Sequence, residues 1–144
     1  MKIAVSACLL GENVRYDGSN RFNEELNKLL KKHEIIRICP ETMAGLPVPR
    51  CPIEIREDRI VDAQGQDYTD ELTEACRECL KRIGECDFII LKSKSPSCGY
   101  KEIYDGTFSG KMKEGNGLFA AMCLENGYKI YTENDLETLK EILD

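Results

Sequence analysis

Four short apolar runs are separated by stretches of helical periodicity, and this alternation constrains the fold more than any other feature of the chain. The runs are Lys2 to Ser6, Ile35 to Ile38, Asp87 to Leu91 and Lys129 to Tyr131. Short apolar runs of this kind read as strands buried on both faces, the habit of parallel sheets. Between them, Leu26, Leu29 and Leu30 share one face of a helix predicted from about Asn23 to Lys32. A second helix, Thr69 to Ile83, carries a stripe of Leu72, Ala75, Cys76, Cys79, Leu80 and Ile83. A third runs from about Leu118 to Asn126 and stops at Gly127, and a last one starts near Asn134, with Glu137 completing a capping box. The pattern predicts an α/β fold with a mainly parallel sheet of about four strands. Its 144 residues show no linker or low-complexity tract, so residues 1–144 are expected to form one domain.

Two long connections interrupt the pattern. Cys39 to Pro52 holds Pro40, Pro47, Pro49, Pro52 and Gly45, and reads as an ordered, irregular loop. Lys92 to Gly110 is the other, and Glu54 to Val61 reads as a small excursion or a hairpin. Loops of such length in a small domain point to function.

Three strands run into a cysteine: Cys8, Cys39 and Cys98. Each stands near glycine or proline, in S-A-C-L-L-G, C-P-E and S-P-S-C-G. In an open parallel sheet the loops at the strands' carboxyl ends share one edge, where ligands bind. Three thiols on that edge could hold a metal group, or could share it by coincidence. The other five cysteines read as bystanders. Cys76 and Cys79 form a C-x-x-C inside a helix, on its apolar stripe, where cysteine behaves as a small hydrophobe. Cys86 and Cys123 fit the same reading, and Cys51, in P-R-C-P, stays open as an approach to the site.

Eight cysteines are many for a cytoplasmic protein, where stable disulfides are rare and metal or catalytic use is commoner. The cytoplasm is nevertheless the expected location, because no run approaches a membrane span. Val5-Ser6-Ala7-Cys8 resembles a lipoprotein cleavage site, but too few residues precede it for a signal peptide. A net charge of −6, spread along the chain, argues against a nucleic-acid partner. The single histidine, His33, follows Lys31 and Lys32 and reads as a solvated surface residue. Without a histidine nearby, all-thiolate ligation favours an iron–sulfur group over zinc. A phosphatase-type C-x5-R loop is a poor fit, since Arg15 lies seven positions after Cys8. Val14-Arg15-Tyr16-Asp17-Gly18 is echoed by Glu102-Ile103-Tyr104-Asp105-Gly106; the two Tyr-Asp-Gly segments are either ordinary turns or flanks of one site.

In order and spacing, S-A-C-L-L-G with V-R-Y-D-G, C-P-E with G-L-P-V-P-R and P-I-E-I, S-P-S-C-G, Y-D-G-T-F-S-G and G-N-G-L-F-A-A resemble a bacterial family long known only as a domain of unknown function, which includes the thiouracil desulfidases. The resemblance spans nearly the whole chain. It implies a Rossmann-like three-layer sandwich carrying a 4Fe–4S cluster on Cys8, Cys39 and Cys98, with one iron left open. It implies a small thiolated substrate, such as a pyrimidine thioketone, whose sulfur is replaced by water without net redox. The acidic residue of the family maps onto Glu41 and its serine onto Ser95 or Ser97. Air can empty such an exposed cluster site. Arg15, Arg50 and Lys92 lie in or beside the three loops and read as solvated, or else as stabilising an anionic cluster or the product, and the Gly115–Gly117 turn could offer helix N–H groups to an anionic or polar substrate edge. The alternative is a non-catalytic iron–sulfur module, a sensor or redox carrier, which would need no base at Glu41. Oligomeric state is not legible.

Overall fold

The structure, a computed structural model, describes residues 1–143. Its strands are β1 Lys2–Ser6, β2 Glu34–Ile38, β3 Ile53–Arg56, β4 Arg59–Asp62, β5 Phe88–Leu91, β6 Glu102–Tyr104, β7 Met112–Glu114 and β8 Ile130–Thr132. Its helices are α1 Glu24–Leu30, α2 Pro40–Met43, α3 Thr69–Ile83, α4 Leu118–Glu125 and α5 Leu136–Leu143, with a 3-10 turn at Ala7–Leu10. Four strands form a parallel sheet in the order β2-β1-β5-β8, with Ile3 opposite both Ile35 and Phe88.

The period-two alternation of the strands divides the core between two faces. Ile3, Val5, Phe88 and Ile90 pack against Leu26 and Leu30 of α1 and Leu139 of α5. Ala4, Ile38, Ile89, Leu91 and Ile130 pack on the opposite face against Cys76, Cys79 and Ile83 of α3 and Phe119, Ala120 and Cys123 of α4. Helices therefore cover both sides of the sheet, the Rossmann-like three-layer sandwich that the resemblance implied. Each fully buried leucine, isoleucine or phenylalanine contributes about 1.5–3 kcal/mol, so the predicted stripe of α3 is bound firmly to the sheet.

From β1 the chain moves to β2 on one side and later returns to place β5 on the other. The carboxyl ends of β2, β1 and β5 are thus neighbours around a topological switch point, the usual ligand crevice of such sheets. Among the described residues, no helix is long and apolar enough to cross a membrane.

The irregular segments depart from the sequence reading in three places. The proline-rich connection opens with the single helical turn of α2, since Pro40 sits at its first position, where no N–H is required. The segment from Lys92 contains β6, which pairs antiparallel with β7; strands of three residues are too short to show a period. The reciprocal bonds before α5 join Thr132 and Asp135 instead of Asn134 and Glu137. Asp135 Oδ2 accepts the Thr132 N–H at 2.8 Å, and the Thr132 carbonyl accepts the Asp135 N–H at 3.1 Å.

Candidate active site

A cavity of about 320 Å³ opens at the switch point, and Cys8, Cys39 and Cys98 all line it, with Glu41, Ser95 and Ser97. A volume of this size suits a small ligand. Each cysteine is delivered by a different local device. Cys8 sits in the 3-10 turn after β1, which ends at Gly11 with φ +95°, a left-handed conformation that glycine adopts without strain. Its carbonyl accepts the Arg21 N–H at 2.9 Å, tying the turn to the following loop. Cys39 is the extended residue that caps α2, so Glu41 lies in the first turn just beyond it.

The Cys98 loop is built on Ser95. Ser95 Oγ accepts the backbone N–H groups of Ser97 at 3.1 Å and Cys98 at 3.0 Å. The opening of α4 completes it: Gly117, Leu118 and Phe119 donate their N–H groups to the carbonyls of Gly99, Pro96 and Ser97. This corrects the expectation for the Gly115–Gly117 turn, whose helix holds the cysteine loop with the N–H groups that were expected to face substrate. Gly117 is required there by close approach, since a Cβ would lie 2.6 Å from the Ser97 carbonyl carbon. Gly117→Ala is expected to cost about 1–3 kcal/mol of stability, seen as a lowered urea midpoint, and to displace the Cys98 loop.

Glu41, Ser97 and Arg50 form a connected set. Ser97 Oγ donates to Glu41 Oε2 at 3.1 Å, and Arg50 Nη2 donates to Glu41 Oε1 at 3.1 Å. The two serine hydroxyls are 3.0 Å apart. Their roles in the loop differ: Ser97 reaches the carboxylate, whereas Ser95 Oγ accepts backbone N–H groups. Arg50 and Lys92 are not the solvated residues the sequence suggested. The Arg50 side chain is 7% exposed, and Lys92 Nζ pairs with Glu133 Oε2 at 3.1 Å behind a largely buried side chain. Arg15 lines the cavity and stacks its guanidinium over Tyr16.

The electrostatics of the thiols follow from burial. Burial pushes the Cys8 thiol up to about 11, reinforced by the neighbouring Cys39, while Lys92 and Arg15 pull it down. Burial also raises Cys98 well above the thiol range; Ser6 opposes the rise, and Cys39, Cys8 and Glu41 add to it. The metal-free thiols at Cys8 and Cys98 are therefore protonated near neutrality, and a bound metal must displace those protons, as coordinating metals do.

The donor set fits an iron–sulfur cluster. Three thiols face one cavity, and no histidine lines it. Among the described residues, no group of three cysteine, histidine, aspartate or glutamate side chains converges closely enough to hold a single metal ion. Cysteine thiols with no histidine beside them suit an iron–sulfur cluster, which is held by thiolates.

The remaining cysteines lie elsewhere. Cys76, Cys79 and Cys123 are buried in the core between the sheet and α3 and α4, and Cys86 packs at its edge. Cys51 is exposed and does not line the cavity. Tyr16 and Tyr104 both line it, so the two Tyr-Asp-Gly turns flank one site. The second turn is anchored by Glu54, which sequence reading overlooked. Its buried Oε1 accepts the Gly106 N–H at 3.0 Å and the Phe108 N–H at 3.2 Å. The signal was a carboxylate within the apolar strand Ile53-Glu54-Ile55. Arg21, Lys94 and Ser6 also line the cavity and carried no sequence signal.

The comparisons with known proteins agree with this architecture. The sequence model of the 2-thiouracil desulfurase family matches residues 3–135. The uncharacterized protein YbbK of Bacillus subtilis is 39% identical over 149 residues, covering 95% of this chain and 99% of the relative. The solved structure of the [4Fe-4S]-dependent thiouracil desulfidase TudS superposes with a TM-score of 0.90 at 36% identity, over 99% of this chain and 97% of the other. Sequence motifs, sheet topology and these matches lead to one assignment: the chain belongs to the 2-thiouracil desulfurase family.

Proposed function

We propose that this protein is a desulfidase that replaces the sulfur of a thiolated pyrimidine or similar thioketone with oxygen from water. The observation that carries the reading is the juxtaposition of three thiols with the Ser97–Glu41–Arg50 set on one cavity. The water oxygen forms a bond to the thiocarbonyl carbon, the C–S bond breaks, and sulfur leaves as hydrosulfide with no change of oxidation state. Cys8, Cys39 and Cys98 would hold a 4Fe–4S cluster. When bound, the cluster supplies an iron without a protein ligand, a Lewis acid for a soft sulfur donor.

The chain's own residues manage water and protons. Glu41 Oε2 is the general base: it takes the proton of the attacking water. Ser97 Oγ, already on that oxygen, orients the carboxylate and stands within reach of substrate. Ser95 fixes the backbone that carries both Ser97 and Cys98. The substrate is a small molecule. A sensor or redox carrier would use the same thiols, but it has no use for a carboxylate held by serine and arginine beside them.

Anaerobic loading with iron and sulfide, followed by incubation with 2-thiouracil and measurement of released sulfide and uracil, tests the proposal. Turnover is expected. No release from 2-thiouracil, 4-thiouracil or their nucleosides, with iron content intact, would move the protein to the sensor class. The two serines should separate in the same assay. Ser97→Ala is expected to keep its iron and lose about 10²-fold in kcat, the low end for a lost acid–base partner. Ser95→Ala is expected to lose about 1–3 kcal/mol of stability, because two backbone N–H groups lose their acceptor.

A further inference from the structure

We infer that Arg50 is a positioning residue, whose guanidinium clamps the Glu41 carboxylate onto Ser97. The inference rests on the reading of Glu41 as the base. Arg50 Nη2 donates both to Glu41 Oε1 at 3.1 Å and to the Val14 carbonyl at 3.0 Å, while Nη1 donates to the Pro47 carbonyl at 3.1 Å. The Arg50 N–H also reaches the Tyr16 carbonyl, at 2.6 Å. One residue thus joins the loop after Cys8, the proline-rich loop and the carboxylate beside Cys39. With Oε1 held by Arg50, Oε2 is presented to Ser97 Oγ at 3.1 Å.

Fold stability does not account for this arrangement. The side chains of Arg50 and Glu41 are 7% and 14% exposed, and Arg50 Nε is buried without a hydrogen-bond partner. A buried ion pair with an unmet donor is commonly no better for stability than well-packed apolar residues. What it supplies is orientation. The planar guanidinium fork bonds three acceptors at fixed angles, which a lysine ammonium on a flexible stem does not reproduce. Arg50 lines the cavity, but Nη2 donates to Glu41 Oε1 and the Val14 carbonyl, so this nitrogen acts on the site through Glu41.

Two readouts test the assignment. In the cluster-free protein, urea unfolding of wild type, Arg50→Lys, Glu41→Ala and the double variant is expected to be non-additive: the lysine substitution changes the unfolding constant when Glu41 is present and far less when it is absent. In the loaded protein, Arg50→Lys is expected to keep its iron content and KM while kcat falls about 100-fold, the scale of a misplaced catalytic group. In the Glu41→Ala background it should cause no further loss. Arg50→Met, apolar and of similar length, repeats both measurements should lysine leave the loop unfolded. Additive unfolding effects, or a raised KM with unchanged kcat, would overturn the inference. A wild-type protein that releases no sulfide overturns the desulfidase reading instead, and the unfolding cycle still decides whether Arg50 holds Glu41.

Discussion

Serine at position 8, 39 or 98 is expected to abolish cluster loading, whereas Cys76→Ser loads as wild type. The measurement is iron and acid-labile sulfide per chain after anaerobic reconstitution. The three residues occupy equivalent places, the loops beyond β1, β2 and β5, and all face the same cavity. A serine hydroxyl is a hard, neutral ligand where the site presents soft thiols, and two remaining thiols hold a cluster poorly. Position 76 differs although it belongs to the chain's only C-x-x-C. Its side chain lies in the core against the sheet, and burial raises its thiol far above the ordinary value. A serine there can bond the carbonyl one turn back in α3, so the cost is about 1–3 kcal/mol of stability and no iron. Normal loading of Cys98→Ser would sink the ligand assignment, and iron loss in a folded Cys76→Ser would reverse the sorting of the eight cysteines.

Glu41→Gln should separate holding the cluster from using it. Glutamine keeps an oxygen that can accept from Arg50 at the place of Oε1, and its amide can meet Ser97 Oγ as donor in place of Oε2. Size and packing are preserved, so iron content should stay near wild type, while the thermal midpoint falls because the buried Arg50 guanidinium loses its counter-charge. What disappears is a group able to take a proton from water. General-base catalysis supplies about 10²–10⁴-fold, and kcat is expected to fall within that range with KM little changed. A glutamine variant that turns over at the wild-type rate would remove Glu41 from the chemistry. The base would then have to be sought elsewhere on the cavity, where Glu54 is already bound to two backbone N–H groups.

The two experiments divide along the same line as the structure. The thiols follow strands that the apolar runs revealed, and the strand order brings them to one edge. The carboxylate depends on contacts between residues far apart in sequence. Glu41 is 56 residues from Ser97, and no periodicity relates a one-turn helix after β2 to a loop after β5. The serines make the point most clearly. In sequence Ser95 and Ser97 flank Pro96 and look interchangeable. In the structure, the turn aims one hydroxyl at the backbone and the other at the carboxylate. Arg50 misled for a related reason: arginines in a polar, proline-rich loop are usually solvated, and only the closure of that loop over Val14 and Tyr16 buries this one.

By itself, the sequence determined what has a local cause: the four strands of the parallel sheet, the long helices, and the family that their motifs resemble. It also separated the strand-end cysteines from those on the α3 stripe, because burial pattern follows from side-chain period. Tertiary structure alone decided which groups meet. The order β2-β1-β5-β8 brings the three thiols to one edge, α4 spends its first N–H groups on the Cys98 loop, and two loops close over Arg50 to aim Glu41. The physical reason is one of range. Periodicity and turn chemistry act over a few residues, whereas a catalytic site is assembled by hydrogen bonds whose partners only the completed fold makes neighbours.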